Sequence, residues 1–457
     1  MFNQPVFWIM GWPLLATAVL WPLGRWSQAQ AAIGGGIAWL LAFWLWRLDV
    51  PTAGAVWDIG GYSLHLTPGL QSLFILLFIA LGVLHLLTIP FPATYHFVPI
   101  SMGLMMPAAA MLMAQPFLLA IPFWLLLVMG ALLLFDYQGA AGREAVQAAQ
   151  RYWLLMLVAA TLLFVAIWML AGTQTALLLP GSRLFVLAVG IMLAGFPFFI
   201  WVRPVATAVP LLVWPLLFAL FPLLLLVWTW QLVLAYPALA QTDAFLVWLP
   251  WSAALTIFVA GLLTLSSQGN WRQVAASILL LDMGFGLLAF SLMAVGGWET
   301  AVMVHGFRFV SLLLLVAGLG TSNKAKSYTK SGSSGVDTVS AYPWAKWLIL
   351  LGCASLLGLP LTPGFAGRWA GLVALGQLQI ATLSFSFLLL GGMGLAFWGL
   401  VRHSLRSLTE AGDSSAGKPG AIHHWATIFL LVLGLVVAAL PQIIVSPLTQ
   451  LVLRLSA

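Results

Sequence analysis

Charged side chains are scarce in this chain. Of its 457 residues, 6% are charged and 63% are hydrophobic, whereas a soluble globular protein carries about 25% charged residues. So few charges cannot cover an aqueous surface, and most of the exterior must therefore face lipid. The composition excludes a soluble enzyme and predicts an integral membrane protein.

Cysteine is almost absent as well. The single cysteine, Cys353, lies inside an apolar run, which excludes an internal disulfide and a cysteine-based metal cluster. The chain has no Walker loop, no metal-spaced set of His and Cys, and no G-x-S-x-G elbow. We expect no metal, no cofactor and no nucleic-acid partner, and at most a non-catalytic membrane subunit. The glycines Gly34–Gly36 lie inside an apolar run and predict a helix-packing surface.

The apolar runs are long enough to span a bilayer as helices. Backbone amides in lipid must bond internally, which leaves α-helices or closed barrels, and runs of about 20 residues are too long for barrel strands. Fourteen transmembrane helices are predicted at roughly 5–24, 29–47, 69–90, 97–115, 117–136, 152–172, 183–203, 207–236, 246–266, 274–296, 300–319, 344–380, 382–401 and 423–445.

The basic residues indicate an orientation for these helices. If the N-terminus is outside, the odd-numbered loops are cytoplasmic, and cytoplasmic loops carry an excess of Lys and Arg. Those loops hold Arg25, Arg143, Arg151, Arg203, Arg272, Lys324, Lys326, Lys330, Lys346, Arg402, Arg406 and Lys418. The even-numbered loops and the C-terminus hold only Arg47, Arg183 and Arg454. We therefore expect both termini outside.

Four ionisable residues lie at membrane depth, where charge is costly and is therefore a candidate functional site. Asp282 is near the middle of the tenth predicted helix, His305 and Arg308 share one face of the eleventh, and Arg368 lies in the twelfth. Two interpretations stay open: a buried ion pair that pins helices together, or a hydrated ion path. His85 lies near a helix end, and we expect it at the membrane interface.

Prolines interrupt two of the predicted helices. Pro197 lies inside the seventh, and Pro360, Pro363 and Gly364 lie inside the twelfth, which is too long for one straight span. Irregular backbone at membrane depth is tolerated only where it packs against protein or lines a cavity. We expect both helices to be broken at these positions.

Several motifs resemble those of the antiporter-like subunits of respiratory complex I, Mrp cation/proton antiporters and membrane-bound hydrogenases. The most specific is Gly358–Arg368 (GLPLTPGFAGR), and Gly195–Trp201, Asp282–Phe285 and His305-Gly306 follow the family's order. The resemblance implies an all-α polytopic membrane protein with two five-helix inverted repeats, each with a discontinuous helix, the seventh and the twelfth.

The same resemblance implies a domain division and a cellular setting. The segments are 1–96 for three N-terminal helices, 97–236 for the first repeat, 246–401 for the second, and 402–457 for a cytoplasmic loop and the last helix. The implied location is a bacterial inner membrane, with the lipid bilayer and other membrane subunits as partners. A soluble cytoplasmic catalytic subunit is a further candidate partner.

The departures from the family pattern concern its titratable residues. Leu125 stands where the family has Glu, Met192 where it has Lys, and Phe199 where it has His, whereas Arg368 keeps a cation. We expect a degenerate, dry N-terminal half-channel. The function predicted is a divergent, proton-translocation-type subunit of a complex I/Mrp-like or a DAB-type inorganic-carbon accumulating complex; the alternative is a non-conducting scaffold subunit.

Overall fold

A computed structural model describes residues 5–51, 54–91, 93, 96–135, 142–172, 175–267, 270–292, 297–328, 343–376, 383–409 and 421–456. In the N-terminal part the helices are α1 Pro5–Leu20, α2 Ser27–Arg47, α3 Pro68–Leu87, α4 Phe97–Met113, α5 Phe117–Leu132, α6 Gly142–Ala171, α7 Leu178–Met192, α8 Phe198–Ala208 and α9 Val213–Ala235. The remaining helices are α10 Ala244–Ser266, α11 Trp271–Ser291, α12 Gly297–Tyr328, α13 Pro343–Leu357, α14 Phe365–Gly376, α15 Leu383–Thr409, α16 Ala421–Ala439 and α17 Gln442–Ser456.

Each of the fourteen predicted spans overlaps at least one of these helices. Within the described residues, nine helices are long and apolar enough to cross a membrane, and shorter apolar helices accompany them. The all-α polytopic fold is thus confirmed. The helix α17 lies mostly beyond the last predicted span, and α6 begins ten residues before its predicted start. The division into four segments stays a prediction.

A small antiparallel sheet, with two strands between α2 and α3 and a third between α4 and α5, is not predicted by the apolar pattern. Strands β1 Ala55–Ile59 and β2 Tyr62–Leu66 pair as a hairpin, and β3 Ala114–Gln115 pairs with β2. The turn residues Gly60 and Gly61 both have positive φ, 57° and 88°. Two consecutive residues with positive φ are typical of a two-residue type I′ hairpin turn, whose backbone twist matches the right-handed twist of the strands.

Both predicted helix interruptions are confirmed. The first separates α7, which ends at Met192, from α8, which begins at Phe198. The second separates α13, which ends at Leu357, from α14, which begins at Phe365. Each break contains a non-glycine residue in the left-handed region, Ala194 with φ 60° and Leu361 with φ 64°. Such backbone costs of order 1–3 kcal/mol and persists only where its surroundings hold it.

Side-chain hydroxyls satisfy the backbone groups that the first break leaves free. The Phe196 N–H donates to Thr256 Oγ1 at 2.7 Å, and the Ser252 hydroxyl donates to the Phe196 carbonyl at 3.0 Å. Both hydroxyls belong to α10, in the predicted second repeat. The break is therefore held by hydrogen bonds from the other half of the chain, as irregular backbone away from water requires.

Side-chain hydroxyls also bond to the backbone at the second break. The Gly364 N–H donates to Ser355 Oγ at 2.9 Å, and the hydroxyls of Ser355 and Ser311 lie 2.7 Å apart. A Cβ on Gly364 would lie 1.9 Å from the Ser355 carbonyl oxygen. Only glycine allows the chain to pass this close to the end of α13.

The core of the bundle lies around α9, α11 and α12, whose described residues are mostly buried. The helices α6, α15 and α16 have fewer than half of their residues buried and lie at the periphery. A helix that is apolar on all sides and fully buried belongs inside a large bundle. Asp282 of α11 and His305 and Arg308 of α12 are therefore surrounded by protein.

His85 lies in the last turn of α3, where protein covers it, and its level in the membrane stays a prediction. Its side chain is fully buried, and Nε2 lies 2.9 Å from the Ser101 hydroxyl of α4. The glycines of α2 make this packing possible, since a Cβ on Gly34 would lie 2.4 Å from Val98 and 3.2 Å from His85 Nδ1. The helix-packing role of the glycine run is confirmed for Gly34 and Gly35, and Cys353 is a buried free thiol.

Candidate functional site

Asp282 lies between two arginines in the interior of the bundle. Arg308 Nε donates to Oδ2 and Arg368 Nη2 donates to Oδ1, so each carboxylate oxygen has its own cation. The three side chains come from α11, α12 and α14 and are at most 6% exposed. We call Asp282, Arg308 and Arg368 the Asp282 cluster.

Arg308 uses all three of its guanidinium nitrogens. Besides the carboxylate, Nη2 donates to the Asp282 backbone carbonyl at 2.9 Å, and Nη1 donates to the Phe218 carbonyl at 3.1 Å. Phe218 lies in a π-helical turn of α9, Leu216–Leu220. Such turns depart from the regular helical hydrogen-bond ladder and recur at functional sites. The fork geometry of arginine fits this three-sided arrangement, which lysine could not reproduce.

Arg368 depends on the broken helix for its position. Its Nη2 also donates to the Leu356 carbonyl at the end of α13, and its guanidinium lies 3.9 Å from the centroid of the Phe285 ring. A cation this close to an aromatic face gains a cation–π attraction. Gly358 has φ 72°, and a Cβ there would lie 2.0 Å from Arg368 Cγ. The glycine at the break therefore makes room for the arginine.

His305 adjoins the Asp282 cluster but does not bond to the carboxylate. Its Nδ1 lies 2.8 Å from the Ala301 carbonyl, which can only accept, so Nδ1 carries a proton. Its Nε2 is buried and has no hydrogen-bond partner among the described residues, and the same is true of Arg368 Nη1. A Cβ on Gly286 would lie 2.7 Å from Arg308 Nη2 and 3.1 Å from His305. Gly286 thus lets both side chains approach α11.

The charges of the cluster do not cancel. One carboxylate faces two guanidinium groups, and Arg keeps its proton at any physiological pH. A buried charge is stable only with full hydrogen bonding and an opposite partner. The carbonyls of Phe218, Leu356 and Asp282 and the ring of Phe285 supply part of that compensation. The site can hold the Asp282 carboxylate in place, and its excess of one positive charge makes the local electrostatic potential more positive.

Three apolar residues of the N-terminal half stand where the sequence comparison with the family led us to expect titratable residues, and they lie in or near the interior. Met192 is buried, and Leu125 and Phe199 are half-buried. Within the described residues, no group of three or more His, Cys, Asp or Glu is placed to hold a metal ion. The dry N-terminal half stays a prediction.

The sequence does not reveal the backbone acceptors of this site. It places Asp282, His305, Arg308 and Arg368 in one region, and the structure brings all four to neighbouring positions. The Phe218 and Leu356 carbonyls carry no side-chain signal and could not be found that way. Gly286 and Gly358 are a weak signal, because a glycine opposite a buried arginine indicates that space is needed there.

No protein-family model matches the chain. Among curated proteins, NADH-ubiquinone oxidoreductase chain 2 of Cardioderma cor is 28% identical over 240 residues, or 50% of this chain. The match spans 62% of that relative, less than two thirds of its length.

Solved structures match over nearly the whole chain. A chain of the membrane-bound sulfane sulfur reductase, an archaeal respiratory membrane complex, has a TM-score of 0.76 at 15% identity, covering 98% of this chain and 97% of that chain. A chain of the Mrp complex from Dietzia sp. has a TM-score of 0.70 at 14% identity, covering 100% and 98%. A chain of respiratory complex I from Thermus thermophilus has a TM-score of 0.67 at 16% identity, covering 96% and 98%.

These likenesses define the class of protein by its fold. The structural neighbours are chains of a sulfane sulfur reductase complex, of complex I and of an Mrp complex, and this chain has their fold. The resemblance predicted from the broken-helix motifs is confirmed. The chain is a multi-pass membrane protein that shares its fold with chains of complex I and the Mrp complex.

Proposed function

We propose that this chain is a divergent, proton-translocation-type subunit of a multisubunit ion-coupled complex in a bacterial inner membrane. The observation that carries the proposal is the Asp282 cluster, which joins a broken helix and a π-helical turn at the centre of the bundle. Ionisable groups at membrane depth are costly and mark ion pathways. In this chain they are concentrated in the predicted second repeat.

Two buried nitrogen atoms support a hydrated path rather than a dry clamp. His305 Nε2 and Arg368 Nη1 have no hydrogen-bond partner among the described residues. Buried polar atoms normally bond to protein or to water, and a buried water takes two to four polar partners. Water beside these atoms would give His305, whose ring can take up and release a proton, a place in the path.

The predicted first repeat contributes no equivalent chain of groups. The half-buried or buried side chains at positions 125, 192 and 199 are Leu, Met and Phe, which cannot relay protons. Arginine can bias a path electrostatically but holds its own proton. In this proposal Asp282 and His305 are the groups that exchange protons, and Arg308 and Arg368 position them.

A second candidate is a non-conducting scaffold that keeps the fold. It is favoured by the geometry of Asp282, because both carboxylate oxygens are already engaged by arginines and a fully paired charge can serve to pin helices together. Under this alternative α9, α11, α12 and α14 are held together by the cluster, and no proton crosses.

Proton flux in proteoliposomes separates the two candidates. The full chain, co-purified with its partner membrane subunits, is compared with Asp282→Asn, with Asp282→Asn/Arg308→Met, and with Glu299→Gln as the control. Glu299 is an exposed acid on α12, away from the Asp282 cluster. We expect the double variant to assemble without flux and the control to conduct normally. A double variant that assembles and conducts like wild type would show that the flux passes through the partner subunits and not through the Asp282 cluster, and would support the scaffold.

The parent complex is proposed as complex I/Mrp-like or DAB-type, with other membrane subunits as partners. The identity of the partners that co-purify with the chain distinguishes these settings. Affinity purification of the tagged chain from its native membrane, followed by mass spectrometry, should recover further antiporter-like membrane subunits for a complex I/Mrp-like parent. A carbonic-anhydrase-like soluble partner would instead assign the DAB-type parent.

A further inference from the structure

A polar groove of about 470 Å³ opens at one end of the bundle, away from the Asp282 cluster. It lies where α6 begins, where α8 follows the first helix break, and where α11 begins. Its polar lining consists of Glu144, Gln147, Arg151, Arg203, Thr207 and Gln273.

The position of the groove along α6 places it at the level of lipid headgroups. Helix α6 has 30 residues, which corresponds to about 45 Å at 1.5 Å per residue. The hydrocarbon core is only about 30 Å thick, so one end of α6 must extend beyond it. Glu144, Gln147 and Arg151 lie three and four residues apart in this first part of α6 and so share one face.

The two arginines of the groove are available to a ligand. Arg151 is exposed and makes no hydrogen bond or ion pair with any residue that the structure describes, Glu144 included. Arg203 donates from Nη2 to the Ser267 hydroxyl at 3.3 Å, which leaves its other nitrogens without a bond to the described residues. Arg272, by contrast, already donates to the Ala206 and Val209 carbonyls at the end of α8. The groove therefore presents Arg151 without such a bond, Arg203 with a single hydrogen bond, and one carboxylate.

The rest of the lining is apolar and lies beside this polar rim. Phe199, Ile200 and Leu263 complete the wall, and the Ile200 side chain is 56% exposed. A cationic rim above an exposed apolar wall matches a phospholipid. In such a lipid the phosphate lies at the headgroup level and the acyl chains extend from there into the hydrocarbon core. Arg binds phosphate oxygens with paired N–H donors, and basic pockets at this membrane level attract anionic headgroups.

We propose that this groove binds the phosphate of an anionic phospholipid, with an acyl chain along Ile200. Arg151 and Arg203 hold the phosphate, while Gln147, Gln273 and Glu144 face the hydroxyl groups of a glycerol-type headgroup. The net charge of the groove, one positive, matches the single negative charge of such a lipid. Because Arg203 belongs to α8, the bound lipid fixes the second half of the first broken helix against α6.

Native mass spectrometry of the delipidated full chain in detergent tests this proposal. Phosphatidylglycerol, phosphatidylethanolamine and phosphatidylcholine are added separately to wild type and to Arg151→Gln/Arg203→Gln. We expect wild type to prefer phosphatidylglycerol, and the double variant to lose affinity for it by roughly 30-fold, from two basic contacts. Equal binding of the three lipids by wild type would overturn the proposal.

Three controls make the result specific. Arg143→Gln removes an exposed cation of the same helix end that does not line the groove, and it should leave binding unchanged. If the double variant does not fold, the single change of exposed Arg151 to Gln carries the test, with roughly a fivefold loss expected. Inorganic phosphate at millimolar concentration should not displace the lipid; full displacement would reassign the groove to free phosphate and refute the lipid proposal.

Discussion

Arg308 donates a hydrogen bond to the backbone carbonyl of Phe218 at 3.1 Å, across 90 residues of sequence. Phe218 belongs to the predicted first repeat and Arg308 to the second. The bond therefore joins the two halves of the chain at the point where the buried charges are concentrated. Together with the Thr256–Phe196 bond, in which the second half satisfies the break of the first, it makes the halves structurally dependent on one another.

Neutralising Asp282 should destabilise the protein strongly. Asp282→Asn leaves two buried arginines without a counter-charge, and breaking a buried ion pair by removing one partner costs about 3–5 kcal/mol. Replacing Arg308 by Met as well should recover part of the loss, because the excess positive charge is then reduced. Thermal unfolding in detergent measures both variants. Equal losses in the single and double variants would contradict the assignment of the cluster.

Gly358→Ala should displace Arg368. The added Cβ would lie 2.0 Å from Arg368 Cγ, and the backbone φ of 72° disfavours any residue with a Cβ. We expect a clear drop in the unfolding temperature and a loss of proton flux. Gly394→Ala in α15 is the matched control, since a Cβ there meets nothing within 4 Å. A similar drop in both variants would show that the effect does not come from contact with Arg368.

Thr256→Val should loosen the first helix break. The change keeps the shape of the side chain but removes the hydroxyl that accepts from the Phe196 N–H at 2.7 Å. A polar group left unsatisfied inside protein costs about 1–3 kcal/mol. Thr161→Val, an exposed threonine on α6 whose hydroxyl bonds only to its own helix, should have little effect. Hydrogen exchange at the amides of Gly195, Phe196 and Phe198 should increase in Thr256→Val alone.

Labelling with a membrane-impermeant maleimide should reveal the orientation. The native thiol, Cys353, is buried and should not react in the folded protein. Arg454 and Arg406 are both exposed, and the asymmetry of basic residues places them on opposite sides of the membrane. In intact cells or spheroplasts, Arg454→Cys should be labelled and Arg406→Cys should react only after permeabilisation. The reverse pattern would place both termini inside.

The sequence determines much of this fold because lipid offers no hydrogen bonds to backbone N–H and C=O groups. A chain with 6% charged residues and apolar runs of about 20 residues has few alternatives to helices that bond their own backbone. Pro197 and Pro360 lie at the two breaks, because proline cannot donate to the helical ladder, whereas Pro13 and Pro447 lie inside continuous helices. The ionisable residues are also visible in the sequence, since each is exceptional in its apolar surroundings.

Only the tertiary structure decides how those residues are partnered. Asp282 could have paired with either arginine, and the structure gives it both. His85 lies near a helix end, and only the structure shows that a neighbouring helix, α4, covers it and that Ser101 is its partner. The Phe218 carbonyl becomes an acceptor through a local π-helical turn and the approach of α12. Local patterns report the solvent that a segment faces, whereas contacts between distant segments depend on how the whole bundle packs.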